Sequence, residues 1–192
     1  LMPKVKDDSK VKAIHDAAMK LVIKTGFVGL RMADVAKEAG LATGTLFVYY
    51  KSKEALINDV FLETKKEVVS NISNPKHQSD TFYSTFRNIW FSYFRFCFEN
   101  PEKMLFCEQF LYSGFIAKDL IDEVEQMFEP LHQTVRDAQK NGLIKQVDVE
   151  ILIAQMHGAI HEIVKVLMKQ KTQLGKTQLQ RCFDMAWDSI KQ

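Results

Sequence analysis

Apolar residues recur at intervals of three and four along almost the whole chain, which is the spacing of one face of an α-helix. No stretch alternates apolar and polar residues as a half-buried strand would. The first helical stretch is predicted from a capping Ser9 to about Thr25, where Gly26 ends it. Its apolar face consists of Val11, Ile14, Ala18, Leu21 and Val22. The pattern predicts an all-α protein.

Two short helices joined by a tight turn are predicted between Met32 and Tyr50. The first should end at Gly40, because glycine adopts a left-handed backbone without a Cβ clash. The second should begin near Thr43 and turn Leu46 inward. The side chains that cannot all be buried with it are Thr45, Phe47, Val48 and Tyr49. A short helix with such a surface is typical of a helix-turn-helix, whose second helix enters the major groove of DNA.

A long helix is predicted from Lys53 towards Ser70, with Ser52 as its cap and a break at residues 74–77, which contain a proline. The next helix, about residues 79–100, carries nine aromatic side chains and one polar stripe. A helix with so wide an apolar face is expected to be buried on most sides.

Two further helices are predicted, one from Pro101 and one over about residues 117–141. Pro130 lies inside the second, which predicts a kink or a break near Phe128. A helix over about residues 148–170 and a last helix ending at Ile190 complete the chain. The count is about nine helices, divided between a head at residues 1–52 and a body at residues 53–192.

The helix at residues 148–170 has two apolar lines, one of which resembles a coiled-coil seam. One line can pack on the body while the other packs on a partner subunit. The residues predicted for a homodimer interface are Met156, Ile160, Ile163, Leu167, Phe183 and Trp187.

Charge is unevenly divided between the two parts of the chain. Residues 1–56 hold ten Lys/Arg against six Asp/Glu, and the remainder holds 16 against 18. A basic head on a slightly acidic body suits a head that meets phosphate.

The three cysteines, Cys97, Cys107 and Cys182, have neither a C-x-x-C motif nor the spacing of zinc ligands. A reducing compartment is therefore expected. Residues 1–12 are charged rather than apolar, and no long uncharged apolar window is evident. A cytoplasmic protein with no membrane association is predicted.

The run from Gly26 to Leu56 resembles the DNA-binding domain of the TetR family of transcriptional regulators. The matching positions are Gly26, Phe27, Asp34, Val35, Ala36, Ala39, Gly40, Gly44, Thr45, Leu46, Tyr49, Lys53, Glu54 and Leu56. The resemblance implies a DNA-binding, ligand-responsive homodimeric repressor whose body holds a small-molecule effector. Beyond the first third of the chain the likeness is one of helical layout and length.

The residues predicted to bind DNA divide by chemistry. Amides around Thr43, Gly44 and Thr45 are expected at a phosphate. The hydroxyls of Thr43 and Thr45 and the exposed edges of Phe47 and Val48 are expected at bases, and Tyr49 and Lys53 at the backbone. The chain departs from the family pattern at Ala42, where a hydroxyl residue is usual, so the helix cap is expected to shift to Thr43. Phe47 stands where tyrosine is common, and Leu30-Arg31 replaces a threonine or serine. Arg31 is therefore a further candidate for a phosphate contact.

The aromatic helix allows two interpretations: a large aromatic core, or a core of which part lines a ligand cavity. The candidates for the cavity are Phe86, Trp90, Tyr93, Phe94, Phe110, Tyr112 and His132. They predict a hydrophobic or aromatic effector, including a flat cation stacked on Trp90.

His157 and His161 lie four residues apart, as metal ligands on a helix do, but the H-E-x-x-H order is missing and a solvated or interface role is favoured. No nucleophile motif or phosphate-binding loop is present, so neither an enzyme nor a cofactor is expected. Two alternatives remain: a small-molecule-binding or enzymatic helical bundle with a vestigial helix-turn-helix, and a regulator controlled by a protein partner.

Overall fold

The sequence folds into α-helices joined by short turns. A computed structural model describes residues 7–73, 81–111 and 113–192, and within these ranges it contains nine helices and no strand. Their bounds are α1 Asp8–Gly29, α2 Met32–Glu38, α3 Thr43–Tyr49, α4 Lys53–Ile72, α5 Phe82–Glu99, α6 Pro101–Leu111, α7 Lys118–Lys140, α8 Val149–Gln170 and α9 Lys176–Ile190. The predicted all-α fold is confirmed. The predicted break at residues 74–77 and the ligand candidate Tyr112 lie outside the described residues.

The N-cap of α1 lies two residues earlier than the sequence predicts. Asp7, rather than Ser9, is the N-cap, and its carboxylate accepts a hydrogen bond of 3.1 Å from the Ser9 amide. Both residues are good caps, and the chain uses the one that leaves Ser9 inside the first turn. Gly26 interrupts the helix with φ of 69°, and one further turn follows to Gly29.

The chain divides into two compact units. Unit 1 comprises the described residues of Leu1–Lys65 and Glu102–Val124, and unit 2 those of Lys66–Pro101 and Glu125–Gln192. This division differs from the sequence-based boundary at residue 52, because the start of α4 and most of α6 share the core of the head.

The core of unit 1 is built on phenylalanines from separate helices. Phe27 lies 5.6 Å from Phe106 and 5.4 Å from Phe110 between ring centroids, and Phe61 lies 4.6 Å from Phe110. Such pairs add stability beyond the area that they bury. They bind α6 to the end of α1 and to α4.

Unit 2 is built on the aromatic helix α5, which packs against α8 and α9. Trp90 and Phe94 stack with 5.6 Å between ring centroids, and Phe183 of α9 packs edge-on against Trp90. The sequence predicts burial of α5 on most sides, but only Trp90, Phe94, Phe96 and Cys97 are buried. The other aromatic residues of α5 are half-buried, except for the exposed Tyr83.

α7 continues through Pro130 as a single helix of 23 residues, so the predicted break near Phe128 does not occur. Proline removes one backbone donor from the helix, but the helix does not end there. α8 is the described helix whose length and composition would allow it to cross a membrane. It is also a packed helix of unit 2, with Leu152, Ile160 and Val164 buried, and core helices pass the same test.

Candidate nucleic-acid interface

The turn between α2 and α3 has the backbone geometry that the sequence predicts. Gly40 has φ of 69°. The Gly40 amide donates to the Lys37 carbonyl at 3.2 Å, and the Leu41 amide donates to the Ala36 carbonyl at 2.8 Å. This pair of bonds is a Schellman motif, which satisfies the last carbonyls of α2 and needs a left-handed residue at Gly40. The turn fixes where α3 begins.

α3 begins without a side-chain cap. Ala42 is the N-cap residue and makes no capping hydrogen bond, so the predicted shift of the cap to Thr43 is wrong. Thr43 already has helical geometry, which removes it from the capping position. The first amides of a helix have no partner within it. In α3 these are the amides of Thr43 and Gly44, and both residues are exposed.

One face of α3 is buried and the other is apolar but exposed. Leu46 is 0% exposed, as predicted, whereas Phe47 is 41% and Val48 68% exposed. Thr45 and Tyr49 are half-buried, and Arg31, just before α2, is exposed. At Gly44 a Cβ would meet no atom of the protein within 4 Å. The protein's own packing therefore does not require glycine there.

Lys53, predicted at a phosphate, has two partners inside unit 1. Its ammonium group donates a hydrogen bond of 3.1 Å to the Phe27 carbonyl and lies 5.3 Å from the centre of the Phe115 ring. Lys53 is the first residue of α4, where the predicted cap is confirmed: the Ser52 hydroxyl accepts from the Ala55 amide at 3.1 Å.

A polar network that sequence reasoning missed joins α1, the end of α3 and α4. His15 Nε2 lies 2.7 Å from the Tyr50 hydroxyl and 3.2 Å from Asp59 Oδ2, and the Tyr50 hydroxyl donates to Asp59 at 2.5 Å. Burial, with the Asp59 carboxylate beside it, raises the pKa of the Tyr50 phenol. The sequence does contain one indication of this network: a tyrosine that faces the core needs a hydrogen-bond partner for its hydroxyl.

The predicted ligand residues fall in both units. Phe110 is fully buried in the core of unit 1. In unit 2, Phe86 lies in the ring cluster with Phe183 and Trp187. His132 Nδ1 lies 3.5 Å from a Glu150 carboxylate oxygen.

Trp90, Phe94 and Tyr93 share one side of α5. The indole N–H of Trp90 is buried without a hydrogen-bond partner, whereas the hydroxyl of Tyr93 lies 2.8 Å from His161 Nε2. The group is apolar with few polar atoms, which is the composition of ligand sites as well as of aromatic cores.

A cleft of about 440 Å³ on unit 2 has a different character. Its lining is mainly polar: Glu67, Ser70, Asn71, Ser92, Arg95, Phe96, Glu99 and Asn100. None of the predicted ligand residues lines it.

The favoured interpretation of the histidines on α8 requires correction. His161 is 4% exposed, and its ring stacks near Tyr93 and lies 3.9 Å from that of His157 between centroids. His161 is therefore a core residue rather than a solvated one, because its ring has a hydrogen-bond partner in the Tyr93 hydroxyl of α5. Within the described ranges, no group of three His, Cys, Asp or Glu is placed to hold a metal.

Most residues predicted for the dimer interface are buried within their own chain. Ile163 and Trp187 are half-buried, and the others serve the core of unit 2: Met156, Ile160, Leu167 and Phe183. A side chain already buried in one chain has little surface left for a partner. In the second apolar line of α8, which consists of Leu152, Ala159 and Val166, Leu152 is buried, whereas Ala159 and Val166 are exposed.

Comparison with known proteins identifies the family. Residues 14–60 match the family model described as bacterial regulatory proteins, tetR family, and residues 82–191 match that described as tetracyclin repressor-like, C-terminal domain. An uncharacterized HTH-type transcriptional regulator of Haemophilus influenzae is 27% identical over 141 residues, which are 72% of this chain and 73% of that protein.

Solved structures share the fold over nearly the whole chain. A TetR family transcription regulator from Marinobacter aquaeolei VT8 superposes with a TM-score of 0.89 at 27% identity, covering 97% of both chains. A TetR-family regulator from Haemophilus influenzae Rd has a TM-score of 0.78 at 20% identity, covering 98% of this chain and 100% of that one. The matched proteins are regulators rather than enzymes, and regulators of this family bind DNA and function as dimers. Because the second family match alone spans more than half of the residues, this chain belongs to the TetR family of transcriptional regulators.

Proposed function

We propose that this regulator is a homodimeric, ligand-responsive repressor that reads a near-palindromic operator through an unusually apolar recognition helix. The observation that carries the proposal is the surface of α3, where Phe47 and Val48 are exposed on a helix held by the buried Leu46. Exposure of these apolar side chains to water is unfavourable. In the major groove they can contact thymine methyl groups.

The remaining contacts position α3 on the phosphate backbone. We assign the amides of Thr43 and Gly44, the hydroxyl of Tyr49 and the guanidinium group of the exposed Arg31 to phosphates. The hydroxyl of Thr45 is assigned to a base edge. The open space at Gly44 supports this assignment. A Cβ there would meet no atom of the protein, so its absence matters only to a molecule that approaches α3 from outside, such as DNA.

Selection of bound duplexes from a random DNA library tests base readout. The wild-type protein should select a two-fold symmetric site with half-site centres roughly 34–36 Å, or a multiple, apart. Val48→Ser should change or relax the selected half-site, because it replaces an apolar contact surface by a hydroxyl. Val28→Ser is the matched control, since Val28 is 86% exposed but lies outside α3. Identical selected sites for the wild type and Val48→Ser would contradict the proposal.

A homodimer would place two copies of α3 on successive major grooves. The exposed line of α8 at Ala159 and Val166, together with the half-buried Ile163 and Trp187, supports an interface on this side of unit 2. Buried Met156, Ile160, Leu167 and Phe183 would support that interface from beneath rather than touch the partner.

The aromatic cluster of unit 2 supports a hydrophobic or aromatic effector. Trp90 provides a buried indole N–H without a partner, Phe94 stacks on its ring, and Phe86 and Tyr93 lie on the same helix. An effector that binds one conformation of the body more tightly would shift the regulator between DNA-binding and released states by that difference in affinity. We place this action in the cytoplasm, where a bacterial operator is reached.

Tryptophan fluorescence tests the effector hypothesis. Apolar and aromatic compounds, including flat cations, should quench the emission of a Trp187→Phe variant and release DNA at the same concentrations. The Trp90→Phe variant is the control and should lose the quenching. If no such compound changes emission or DNA affinity, a regulator controlled by a protein partner is favoured instead.

A further inference from the structure

A half-buried cation lies among the aromatic rings of unit 2. The guanidinium carbon of Arg87 on α5 is 4.7 Å from the centre of the Phe91 ring and 6.0 Å from that of Phe183. Trp90 packs edge-on against the same two rings, with 5.2 and 5.7 Å between ring centroids. Arg87, Trp90 and Phe91 have the three- and four-residue spacing of one helix face. The guanidinium group therefore adjoins the aromatic cluster that we propose for the effector.

The polar contacts of Arg87 leave its charge without an anion. Its guanidinium group donates a hydrogen bond of 2.9 Å to the side-chain carbonyl of Gln180 on α9. Gln180 in turn donates to the exposed carboxylate of Asp184 at 2.7 Å, so a neutral amide stands between the two charges. No carboxylate in the described part of the chain forms an ion pair with Arg87. Because a charge removed from water is costly unless it is paired, this cation suits an anion from outside the chain.

The same cluster contains a second donor that has no acceptor. Trp90 is 3% exposed, and its buried indole N–H makes no hydrogen bond. A buried N–H without an acceptor is unfavourable, and an oxygen atom of a ligand would remove that cost. Both Arg87 and Trp90 can only donate hydrogen bonds. The polar side of a compound that binds these two groups must therefore be rich in acceptors, while its remainder must suit aromatic rings.

We propose that the effector is an apolar or aromatic carboxylic acid whose carboxylate binds the guanidinium group of Arg87 in place of the Gln180 carbonyl. Hydrogen bonds from a guanidinium group to a carboxylate are about twice as strong as those between neutral groups, which favours the exchange. A cationic compound would instead meet like charge at the rings of Phe91 and Phe183. The inference rests on the proposed effector binding in unit 2 and specifies the charge of the compound.

Calorimetric titration with matched compounds tests this charge. The probes are decanoic acid and naphthoic acid, each compared with its neutral primary amide and with the amine cation of the same apolar part. At least one acid should bind the wild-type protein about tenfold or more tightly than its amide, and the amine should bind most weakly. Equal affinities of acid and amide would overturn the inference and leave an apolar effector in place. If none of the compounds binds, the effector hypothesis fails and this inference fails with it.

Substitution of Arg87 tests the assigned residue. Arg87→Gln should lower the affinity for the acid about tenfold and leave that for the amide within about twofold of the wild type. Arg95→Gln makes the same change at an exposed arginine of the same helix and should leave both affinities unchanged. An acid affinity that falls equally in the two variants, or in neither, would remove Arg87 from the site.

Gln180 provides two variants with opposite expected effects. Gln180→Ala removes the competing acceptor, so the acid should bind more tightly, by about threefold. Gln180→Glu places a carboxylate beside Arg87 and should lower the affinity for the acid about tenfold, with the amide little affected. If Arg87 served only to hold α5 against α9, each Gln180 variant would change the affinities for acid and amide alike. That result would overturn the proposal, and this pair decides if Arg87→Gln does not fold.

Discussion

The phenol of Tyr50 donates a hydrogen bond of 2.5 Å to the carboxylate of Asp59, and this bond joins the end of the recognition helix to α4. His15 of α1 contacts both groups through one ring nitrogen. Three helices of the head therefore meet at a single hydroxyl, which a phenylalanine at the same position would lack.

Tyr50→Phe should lower the free energy of unfolding by about 1–3 kcal/mol, because it leaves the partly buried Asp59 and His15 without their shared partner. Chemical denaturation followed by circular dichroism measures this. Tyr49→Phe is the neighbouring control: Tyr49 is only half-buried, so its stability should stay within about 0.5 kcal/mol of the wild type. Equal losses in the two variants would show that the network contributes nothing specific.

The same phenol predicts a loss of stability in alkali. Burial, with Asp59 beside it, raises the pKa of Tyr50 above its ordinary value of 10.0. Folding therefore favours the protonated phenol, so its contribution is complete below about pH 10 and declines as the pH rises further. The decline should reach at most about 1.4 kcal/mol per pH unit and should be missing from Tyr50→Phe. Denaturation curves between pH 9 and about pH 11 would refute this if both proteins lost stability in parallel.

Gly44→Ala should separate stability from DNA binding. No protein atom would touch the new Cβ, and alanine favours helix by up to about 1 kcal/mol, so the melting temperature should stay the same or rise. Operator affinity should fall on the order of tenfold, since the methyl group would keep a phosphate from the amides of α3. Fluorescence anisotropy with labelled duplex measures the change, and undiminished affinity would remove Gly44 from the interface.

Val166 and Ile160 should respond differently to substitution. Val166→Arg places a charge on a side chain that is 50% exposed in the single chain, so it should give folded monomers with weakened operator binding. Ile160→Ala empties a site that is 2% exposed and should lower stability by about 2–5 kcal/mol while the subunits still associate. Sedimentation velocity distinguishes these outcomes. A dimer that survives Val166→Arg would move the interface away from this line of α8.

Sequence reasoning was most successful where the local backbone geometry restricts which residue a position can hold. Gly40 was identifiable because a left-handed turn strongly favours glycine, and Leu46 because one side of a short helix must be buried. Reasoning from periodicity was weaker for α8, which has two apolar lines. Only packing against α5 and α9 decides that the line through Ile160 faces the chain's own core.

Contacts between distant helices account for what sequence reasoning missed. His161 lies among polar residues along α8, and its burial is possible because its ring nitrogen has a hydrogen-bond partner in the Tyr93 hydroxyl of α5. Lys53 likewise sits in a motif that suggests phosphate, while its partners come from residues 26 and 62 positions away in sequence. The spacing of residues within one helix gives no information about the contacts that His161 and Lys53 make with other parts of the chain.

The exposed phenylalanine and valine of α3 also bear on the heat of binding. Off DNA, Phe47 and Val48 order water around them, and docking against thymine methyl groups would release that water. Removal of apolar surface from water gives a negative change in heat capacity, whereas contacts to phosphate alone do not carry this signature. The regulator should therefore bind its operator with an enthalpy that becomes more favourable as the temperature rises.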